Sequence, residues 1–321
     1  MRPYIRFILS SGAGRGRASE LIHEIRRVYP QATHSVVGTG AAQCGEVTIS
    51  LTTGPDDIRM VASQWAEFHG DQGVCFLAGG DGSINETASV LRDTGCAFGV
   101  LPAGTGNDFA RTLYDGQVSP RFALQLVERT RDAEVEPIDM LEVNDTFCVN
   151  LFSLGFDTEV LREALRLVGA HPWLGQGAYV AALARLALRN KSTPLRFEAL
   201  TETGEHISLE QECTVLIVGN GEYYGSGYHP LPGALLDDGL ADVLWADPLN
   251  LAQFGVLLGS YRRGTHMGNS KLHHARAREV SLSRTDGQDV LWNVDGIVYS
   301  SPEVHIRVLP GALNLARIPC R

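Results

Sequence analysis

The sequence predicts two domains of different class, a Rossmann-like α/β domain and a second, all-β domain with the character of a sandwich. Strand and helix patterns alternate up to about residue 135, which indicates a parallel sheet covered by helices. Two glycine-rich turns directly follow strands in this region. After about residue 139, short β-rich runs separated by Gly, Pro, Asn and Asp turns dominate, as in a sandwich or barrel.

Hydrophobic periodicity places the elements of both domains. In the first domain it predicts strands at 4–9, 47–52, 74–78 and 96–102, and helices at 17–29 and 57–69 and from about residues 84 and 109 onward. In the second it predicts strands at 146–151, 195–200, 207–218, 241–245, 279–283, 290–294 and 303–308, with helices at 159–168, 178–188 and 251–261. We expect the boundary between the domains near residue 137.

Composition narrows the function. The 321 residues are 44% hydrophobic and 20% charged, which is typical of a globular protein with an ample core. A formal net charge of −10 argues against a nucleic-acid partner. The six cysteines show no CxxC or zinc spacing, and no apolar stretch is long enough for a transmembrane segment. We therefore expect a cytoplasmic location.

The first glycine turn predicts a phosphate site. Residues 79–83 read Gly-Gly-Asp-Gly-Ser between a buried strand and the start of a helix. Backbone N–H groups in such a turn can point at an anion, and glycine permits phosphate oxygens to come close. Asp81 is unusual there, because phosphates repel a carboxylate unless it binds a metal ion or takes a proton.

A second glycine loop follows the next strand. Residues 103–107 read Ala-Gly-Thr-Gly-Asn, and Asn107 or Asp108 is predicted to cap the helix that follows. Ligands of open α/β sheets bind beyond the carboxyl ends of the strands, where both loops belong. The loops at 79–82 and 104–107 are therefore expected to hold one polyphosphate together.

These two segments, GGDGSINE at 79–86 and LPAGTGNDFAR at 101–111, resemble the signature loops of the diacylglycerol kinase catalytic-domain family. That family includes bacterial lipid kinases and sphingosine kinases and is distantly similar to NAD kinase. The resemblance continues through NLFSLGFD at 150–157, the acidic run at 232–243, Asp295-Gly296 and LPGAL at 309–313. It implies a catalytic domain at 1–137, a lipid-substrate and metal domain at 138–309, and a segment at 310–321 that returns to the first domain.

The resemblance implies an ATP-dependent lipid kinase that acts with Mg²⁺ on a diacylglycerol-like or sphingoid-like alcohol at the membrane surface. Asp81 and Asp295 are both candidates for the base that takes the hydroxyl proton, and Asp139 is expected to connect to them through metal or water. The same resemblance implies peripheral membrane association and allows a homodimer. The acceptor lipid is left open.

The remaining candidate residues follow from the same resemblance. Those expected at ATP are Ser10, Gly12, Arg15, Thr52, Gly79, Gly80, Gly82, Ser83, Gly104, Thr105, Gly106 and Asn107. Arg162 and Arg166 are candidates for phosphate contacts, and Asp157 is a candidate for the lipid site. Asp237 and Asp238, with the backbone oxygen of Leu235, are expected to hold a metal ion.

Two departures from the family pattern leave an alternative open. Ser10-Ser11 replace the usual Asn-Pro after the first strand, and Ile297 replaces the glutamate of the closing Asp-Gly-Glu. Ile297 keeps open a non-catalytic nucleotide- or lipid-binding protein of the same fold. An NAD-dependent oxidoreductase is disfavoured, because Arg17 takes the last glycine position of the dinucleotide fingerprint and residues 33–36 offer no acid.

Two further segments invite a functional interpretation. The helix at 178–188 is apolar on most sides, and we interpret it as a buried helix in preference to a lipid-docking surface. Because a lipid substrate must enter somewhere, the segment stays a candidate for the lip of the lipid entry site. His273 and His274, with His266 nearby, could suggest a metal site. Adjacent residues of a strand point to opposite faces, however, so we interpret these histidines as surface or cleft residues.

Overall fold

The computed structural model describes residues 2–10, 18–35, 37, 45–175, 177–186 and 192–320. Within it the chain divides into two compact units. The first comprises Met1–Met140, Gly225–Gly227 and Pro310–Arg321, and the second comprises Leu141–Tyr224 and Tyr228–Leu309.

The described residues form the following helices and strands. The helices are α1 Ala18–Val28, α2 Pro55–His69, α3 Asp81–Leu91, α4 Asp108–Leu113, α5 Pro120–Arg129, α6 Phe156–Ala170, α7 Gly177–Leu186 and α8 Leu251–Arg263. The strands are β1 Tyr4–Ser10, β2 Thr33–Ser35, β3 Val47–Thr52, β4 Gly73–Gly79, β5 Ala97–Pro102, β6 Glu134–Val143, β7 Thr146–Cys148, β8 Leu151–Gly155, β9 Thr193–Thr201, β10 His206–Cys213, β11 Val215–Gly219, β12 Ala241–Ala246, β13 Leu272–Arg284, β14 Val290–Val294, β15 Ile297–Ser301 and β16 Glu303–Arg317.

The first unit is built on a parallel sheet in the order β5-β4-β1-β3-β2, as the βα alternation predicts. Asn314 and Leu315 of β16 add to its edge by pairing in parallel with β5. Helix α1 packs on α5, and α2 packs on α3. The central strands read as continuous apolar runs because they are buried on both faces.

The parallel arrangement decides where ligands can meet the first unit. The last residues of β1 and β3, Ser10 and Thr52, are register partners, and so are the last residues of β4 and β5, Gly79 and Pro102. The carboxyl ends of all four strands therefore lie side by side along one edge of the sheet. The two glycine loops begin at this edge, where open α/β sheets bind ligands.

The second unit is antiparallel, in the order β15-β14-β8-β11-β12-β13, and β13 pairs also with β9 and β16. Alternate residues of its central strands face two separate cores. Leu216 and Val218 of β11 belong to a core with Trp245. Val215 and Ile217 belong to the other, which α8 helps to form. This explains the mixture of strand runs and isolated helices in the sequence.

Two predicted strand runs in the second unit differ from the structure. The run at 207–218 is two strands, β10 and β11, separated at Thr214. Strand β10 alternates exposed and covered residues, whereas β11 is buried throughout, so one apolar-rich run hides a change of environment. The run at 146–151 is likewise divided between β7 and β8.

The interpretation of the 178–188 segment as a buried helix is wrong for the residues that the structure describes. Helix α7 buries Ala178, Ala182 and Leu186, but Tyr179 and Val180 are exposed. Two alanines and Leu186 make its packed face, and Tyr179 and Val180 lie on the other side. Among the described residues, no helix is long and apolar enough to cross a membrane.

Gly99 in β5 provides a test of the packing in the first unit. A Cβ at this position would lie 2.3 Å from Cδ1 of Phe76, which is fully buried. We expect Gly99→Ala to lower the free energy of unfolding by about 1–3 kcal/mol, as overpacked cores do, measured by denaturant unfolding. Gly169→Ala is the control, since a Cβ there meets nothing within 4 Å. Equal stability of the two variants would contradict the described packing.

Candidate functional site

The first glycine turn joins β4 to α3. Helix α3 begins at Asp81, earlier than the sequence predicts, so Asp81, Gly82 and Ser83 lie in its first turn rather than in a loop. The N–H groups of a first helical turn have no partner within the helix and can bind an anion. A Cβ at Gly82 would meet no atom within 4 Å. The space beside this turn is therefore open to a ligand.

The second glycine loop is held by its own asparagine. Asn107 has a left-handed backbone with φ 55°. Its side-chain oxygen accepts from the Gly104 N–H at 2.7 Å, and its Nδ2 donates to the Gly104 carbonyl at 3.0 Å. The prediction that Asn107 or Asp108 caps helix α4 is wrong, because the Asn107 side chain turns back into the loop.

The cap of helix α4 comes from the other glycine turn. Oδ1 of Asp81 accepts from the Asp108 N–H at 2.7 Å and from the Phe109 N–H at 3.3 Å. One carboxylate therefore sits in the first turn of α3 and also satisfies the free amides of α4. This ties together the two segments that the sequence marks as phosphate loops.

Glycine is required where these loops touch. A Cβ at Gly104 would lie 2.3 Å from the Gly80 Cα, so the two backbones approach more closely than any side chain allows. A Cβ at Gly106 would lie 2.6 Å from Oδ2 of Asp81. The glycines of the second loop thus make room for the first loop and for its carboxylate.

Asp108 is a second buried carboxylate at this position, which the sequence marks only as a possible helix cap. Its Oδ2 accepts from the Ser226 N–H and its Oδ1 from the Gly227 N–H, both at 2.8 Å. Gly225, Ser226 and Gly227 all have positive φ. The Gly-Ser-Gly sequence signals an unusual turn, but nothing in it identifies Asp108 as the partner.

The two carboxylates influence each other's protonation. Burial raises the pKa of Asp81, although the amides of Phe109 and Asp108 oppose the shift. Burial and the neighbouring Asp81 charge raise the pKa of Asp108 to about 6, against the opposing effect of the Ser226 and Gly227 amides. A carboxyl group with a raised pKa is a better proton acceptor than an ordinary one.

A cavity of about 250 Å³ adjoins the second loop. Residues 102–105 and Asn107 form one side of it, together with Arg111. Helices α1 and α5 supply apolar walls through Leu21 and Leu124, and Val118 lies at the approach to α5. The cavity combines apolar surfaces, backbone polar groups and one guanidinium group, as small-molecule sites do.

The other predicted nucleotide residues are placed in part. Ser10 and Thr52 are neighbours at the ends of β1 and β3, but the Thr52 hydroxyl is buried and donates to the Leu9 carbonyl at 3.2 Å. Thr105 lines the cavity. Gly12 and Arg15 lie outside the described residues.

Asp139 is buried in β6, where its Oδ1 accepts from the Gly311 N–H at 2.8 Å. Gly311 has φ 63°, so this carboxylate fixes a left-handed turn within β16. Its expected link to the other carboxylates through metal or water stays a prediction.

Asp295 lies in the second unit with φ 47°. Its Oδ1 accepts from the Leu151 N–H at 3.0 Å and its Oδ2 from the Val149 N–H at 3.3 Å. These two backbone donors fix the orientation of the Asp295 carboxylate. Ile297, two residues later, is exposed.

Asp157 begins a buried polar network in the second unit. Its carboxylate accepts from the Ser153 hydroxyl at 2.6 Å and from the Thr158 N–H at 2.8 Å. Nδ2 of Asn293 donates to both the Ser153 and Thr158 hydroxyls. Burial raises the pKa of Asp157 to about 6, against these hydrogen bonds.

Arg162 and Arg166, the candidates for phosphate contacts, lie on helix α6, where both are exposed. Arg166 forms an ion pair with Glu163 at 2.9 Å. The role of either arginine at a phosphate stays a prediction.

The acidic loop at 235–238 is the segment for which the sequence predicts a metal ion. Leu235 and Asp237 lie there, while Asp238 accepts from the Leu240 N–H and forms an ion pair with Arg276. A divalent cation needs several oxygen ligands. Among the described residues, no group of three or more His, Cys, Asp or Glu side chains could hold a metal ion. A metal ion held by Asp237, Asp238 and the backbone oxygen of Leu235 stays a prediction.

The histidines do not form a joint site. His273 bonds to Asp247 and His274 to Asp242, from neighbouring positions of β13. His266 is buried and contacts the Pro230 carbonyl. The interpretation of His266 as a surface or cleft residue is therefore wrong, because it packs against Tyr261.

Comparison with known families agrees with this architecture. The diacylglycerol kinase catalytic domain matches residues 5–143, and the YegS C-terminal NAD kinase beta sandwich-like domain matches residues 151–317. The chain belongs to the YegS-like lipid kinase family. The predicted resemblance is confirmed, and with it the class of enzyme, a phosphotransferase with an alcohol as acceptor.

Individual relatives cover most of the chain. "Probable lipid kinase YegS-like" from Xanthomonas oryzae pv. oryzae (strain MAFF 311018) is 31% identical over 249 residues, covering 74% of this chain and 76% of that protein. "Probable lipid kinase YegS" from Salmonella newport (strain SL254) is 33% identical over 248 residues, covering 75% and 76%.

A solved structure confirms the predicted fold class. The "putative diacylglycerol kinase from Bacillus anthracis str. Sterne" superposes with a TM-score of 0.76 at 21% identity, covering 99% of this chain and 96% of that one. The α/β sheet and the β-sandwich-like region are thus those of a known two-domain fold.

The buried carboxylate pair predicts a pH dependence of stability. The pKa of Asp108 is raised from 3.8 to about 6 on folding. Its contribution to stability is therefore complete below about pH 4 and is lost as the pH rises through about 6, a change of about 3 kcal/mol. We expect Asp108→Asn to reduce the change of the unfolding free energy with pH, measured by denaturant unfolding between these pH values.

The control is Asp115→Asn, which changes an exposed carboxylate nearby whose φ of 50° suits asparagine. This variant should keep the wild-type slope of stability against pH. An unchanged slope in Asp108→Asn would show that Asp108 ionises as an ordinary surface carboxylate does.

Proposed function

We propose that the chain transfers the γ-phosphoryl group of ATP, bound as Mg-ATP, to the hydroxyl of a lipid alcohol of diacylglycerol or sphingoid type. The observation that carries the proposal is the joined pair of glycine loops at one sheet edge, with the partly buried Asp81 carboxylate between them. Phosphoryl transfer depends on holding the polyphosphate, offsetting its charge and positioning the attacking hydroxyl. Family membership supports the reaction class.

The first turn of α3 and the loop at 104–107 are proposed to bind the phosphates. Gly80 and Gly104 meet backbone to backbone, so amides from both segments are close enough to face one polyphosphate chain. The open space at Gly82 leaves room for it. The Mg²⁺ that ATP carries would offset the repulsion between phosphate oxygens and the two carboxylates.

Asp81 is favoured over Asp295 as the base. The pKa of Asp81 is raised by burial, so it holds a proton more readily than an ordinary carboxylate. Asp295 accepts hydrogen bonds from the Val149 and Leu151 amides, and this fixed orientation fits a positioning role. Asp108 would then support Asp81 through its neighbouring charge.

The cavity beside the second loop is proposed to bind the nucleobase of ATP. Its apolar walls on α1 and α5 suit the faces of a purine, and residues 103–105 connect it directly to the proposed phosphate loop. Asp157 and its hydroxyl network remain the candidate for the polar end of the lipid acceptor, since a carboxylate there can accept from a hydroxyl.

Asp81→Asn tests the base. Asparagine retains an oxygen for the Asp108 amide, so the cap of α4 persists while the charge and basicity are lost. We expect turnover of radiolabelled ATP with a panel of extracted lipids to fall roughly 10²–10⁴-fold. Nucleotide affinity and thermal stability should change little.

Asp115→Asn, at an exposed carboxylate, is the control for this assay. Near-normal turnover in Asp81→Asn would exclude Asp81 as the base. Wild-type protein that consumes no ATP with any lipid while binding nucleotide would support the non-catalytic alternative instead.

Val118→Trp tests the cavity that is proposed to bind the nucleobase of ATP. Val118 is half-buried at the cavity wall, so an indole ring should fill space that the purine needs. We expect KM for ATP to rise about tenfold or more, with kcat affected less, since ground-state binding is lost. Val135→Trp, at an exposed position of the first unit, is the control. Equal KM values for ATP in both variants would show that the nucleobase of ATP does not bind in this cavity.

A further inference from the structure

The hairpin formed by helices α6 and α7 carries an unusual group of exposed apolar side chains. Four of the large hydrophobic residues that are exposed in the described part of the chain fall within residues 165–180. We define them as the α6–α7 surface: Leu165, Trp173, Tyr179 and Val180. Trp173 is 80% exposed and Val180 is 70% exposed. Clustering of this kind distinguishes an interaction surface from scattered surface residues.

The packing of the hairpin explains why these side chains face outward. Ala164, Ala178 and Ala182 form its buried interior, and larger residues of α6 and of the connection to α7 pack against them while partly exposed. Ala178 and Ala182 are four residues apart and share one face of α7. Val180 lies about half a turn away on the opposite face, and Tyr179 lies beside it. Tyr179 and Val180 are therefore turned outward, whereas Leu186 of the same helix is buried.

We propose that the α6–α7 surface inserts into the interface of a lipid bilayer. The choice of a bilayer as the occupant rests on the proposed function, because the acceptor alcohol resides there. Trp and Tyr prefer the boundary between hydrocarbon and water, with Val and Leu entering more deeply. Arg166 and Arg185 are exposed on the same two helices, where their stems can reach headgroups.

The charges favour apolar insertion over attraction to anionic lipid. The chain carries a formal net charge of −10, which repels an anionic surface. Arg166 and Arg185 both pair with Glu163, at 2.9 and 3.3 Å, so its single carboxylate offsets one of these two positive charges. Docking should therefore occur on neutral phosphatidylcholine and should resist added salt.

Tryptophan fluorescence reports on this surface directly. The chain has four tryptophans, and Trp65, Trp245 and Trp292 are buried while Trp173 is exposed. Vesicles of phosphatidylcholine with brominated acyl chains quench a tryptophan that enters the bilayer. We expect quenching and a blue shift with the full chain, and loss of both in Trp173→Phe, which retains an apolar ring. Absence of quenching in the wild-type chain would overturn the proposal.

Flotation with the same vesicles compares a matched pair of variants. Val180 on α7 and Val256 on α8 are both 70% exposed valines on helices of the second unit. We expect Val180→Asp to lower vesicle partitioning about tenfold, since it places a charge in the apolar interface, and Val256→Asp to leave it unchanged. Equal losses in the two variants, or release of the wild-type chain by salt, would overturn the proposal.

Two further measurements distinguish docking on a bilayer from self-association and from the proposed reaction. If Val180→Asp changes the molecular mass in solution without lipid, the surface is covered by a second copy and the proposal fails. If the vesicle results hold while no lipid is phosphorylated, docking stands and the proposed reaction fails. Turnover of a short-chain, water-soluble acceptor should be retained in Val180→Asp, because this variant alters docking and leaves the phosphate loops intact.

Discussion

The hydrogen bonds from the Asp108 and Phe109 amides to Asp81 are the interaction on which the candidate site depends. They connect the first turn of α3 to the start of α4 and bring Gly80 against Gly104. Without them the two glycine loops would be separate turns at adjacent strand ends. With them, the loops form one surface of backbone amides with a carboxylate beside it. The cost is the burial of two acidic groups close together, which raises the pKa values of both.

Much of the fold could be predicted because local sequence patterns, such as apolar runs and glycine turns, indicate its strands and their ends. Buried parallel strands such as β4 and β5 appear as continuous apolar runs, and glycine turns mark where they end. The predicted strand boundaries were wrong where one apolar run covers both a partly exposed and a fully buried strand. The run at 207–218 joins a half-exposed strand to one buried on both faces, and only the tertiary packing around Thr214 separates them. The prediction of a buried helix at 178–188 was wrong for a related reason. Apolar composition alone does not reveal that only one face of α7 is packed and that Tyr179 and Val180 are exposed.

The parts of the site could be predicted from the sequence, but their connections could not. The glycines, Asp81 and Asp108 all lie in recognisable motifs, yet the pairing of Asp81 with the Asp108 amide joins residues 27 apart. The contact of Asp108 with Ser226 and Gly227 joins residues 118 and 119 positions apart. Such contacts depend on the path of the whole chain, so spacing cannot supply them. For the same reason the sequence favours Asn107 as a cap, although a left-handed backbone turns its side chain toward Gly104.

If amides of both glycine loops bind one polyphosphate, NMR of the chain labelled with ¹⁵N-glycine will detect their joint response. Addition of Mg-ADP should shift the amide signals of Gly80, Gly82, Gly104 and Gly106 together, with one common affinity. Gly169 and Gly287, which lie in the second unit, should keep their signals. Saturable binding of Mg-ADP that leaves the signals of both loops unchanged would contradict the account.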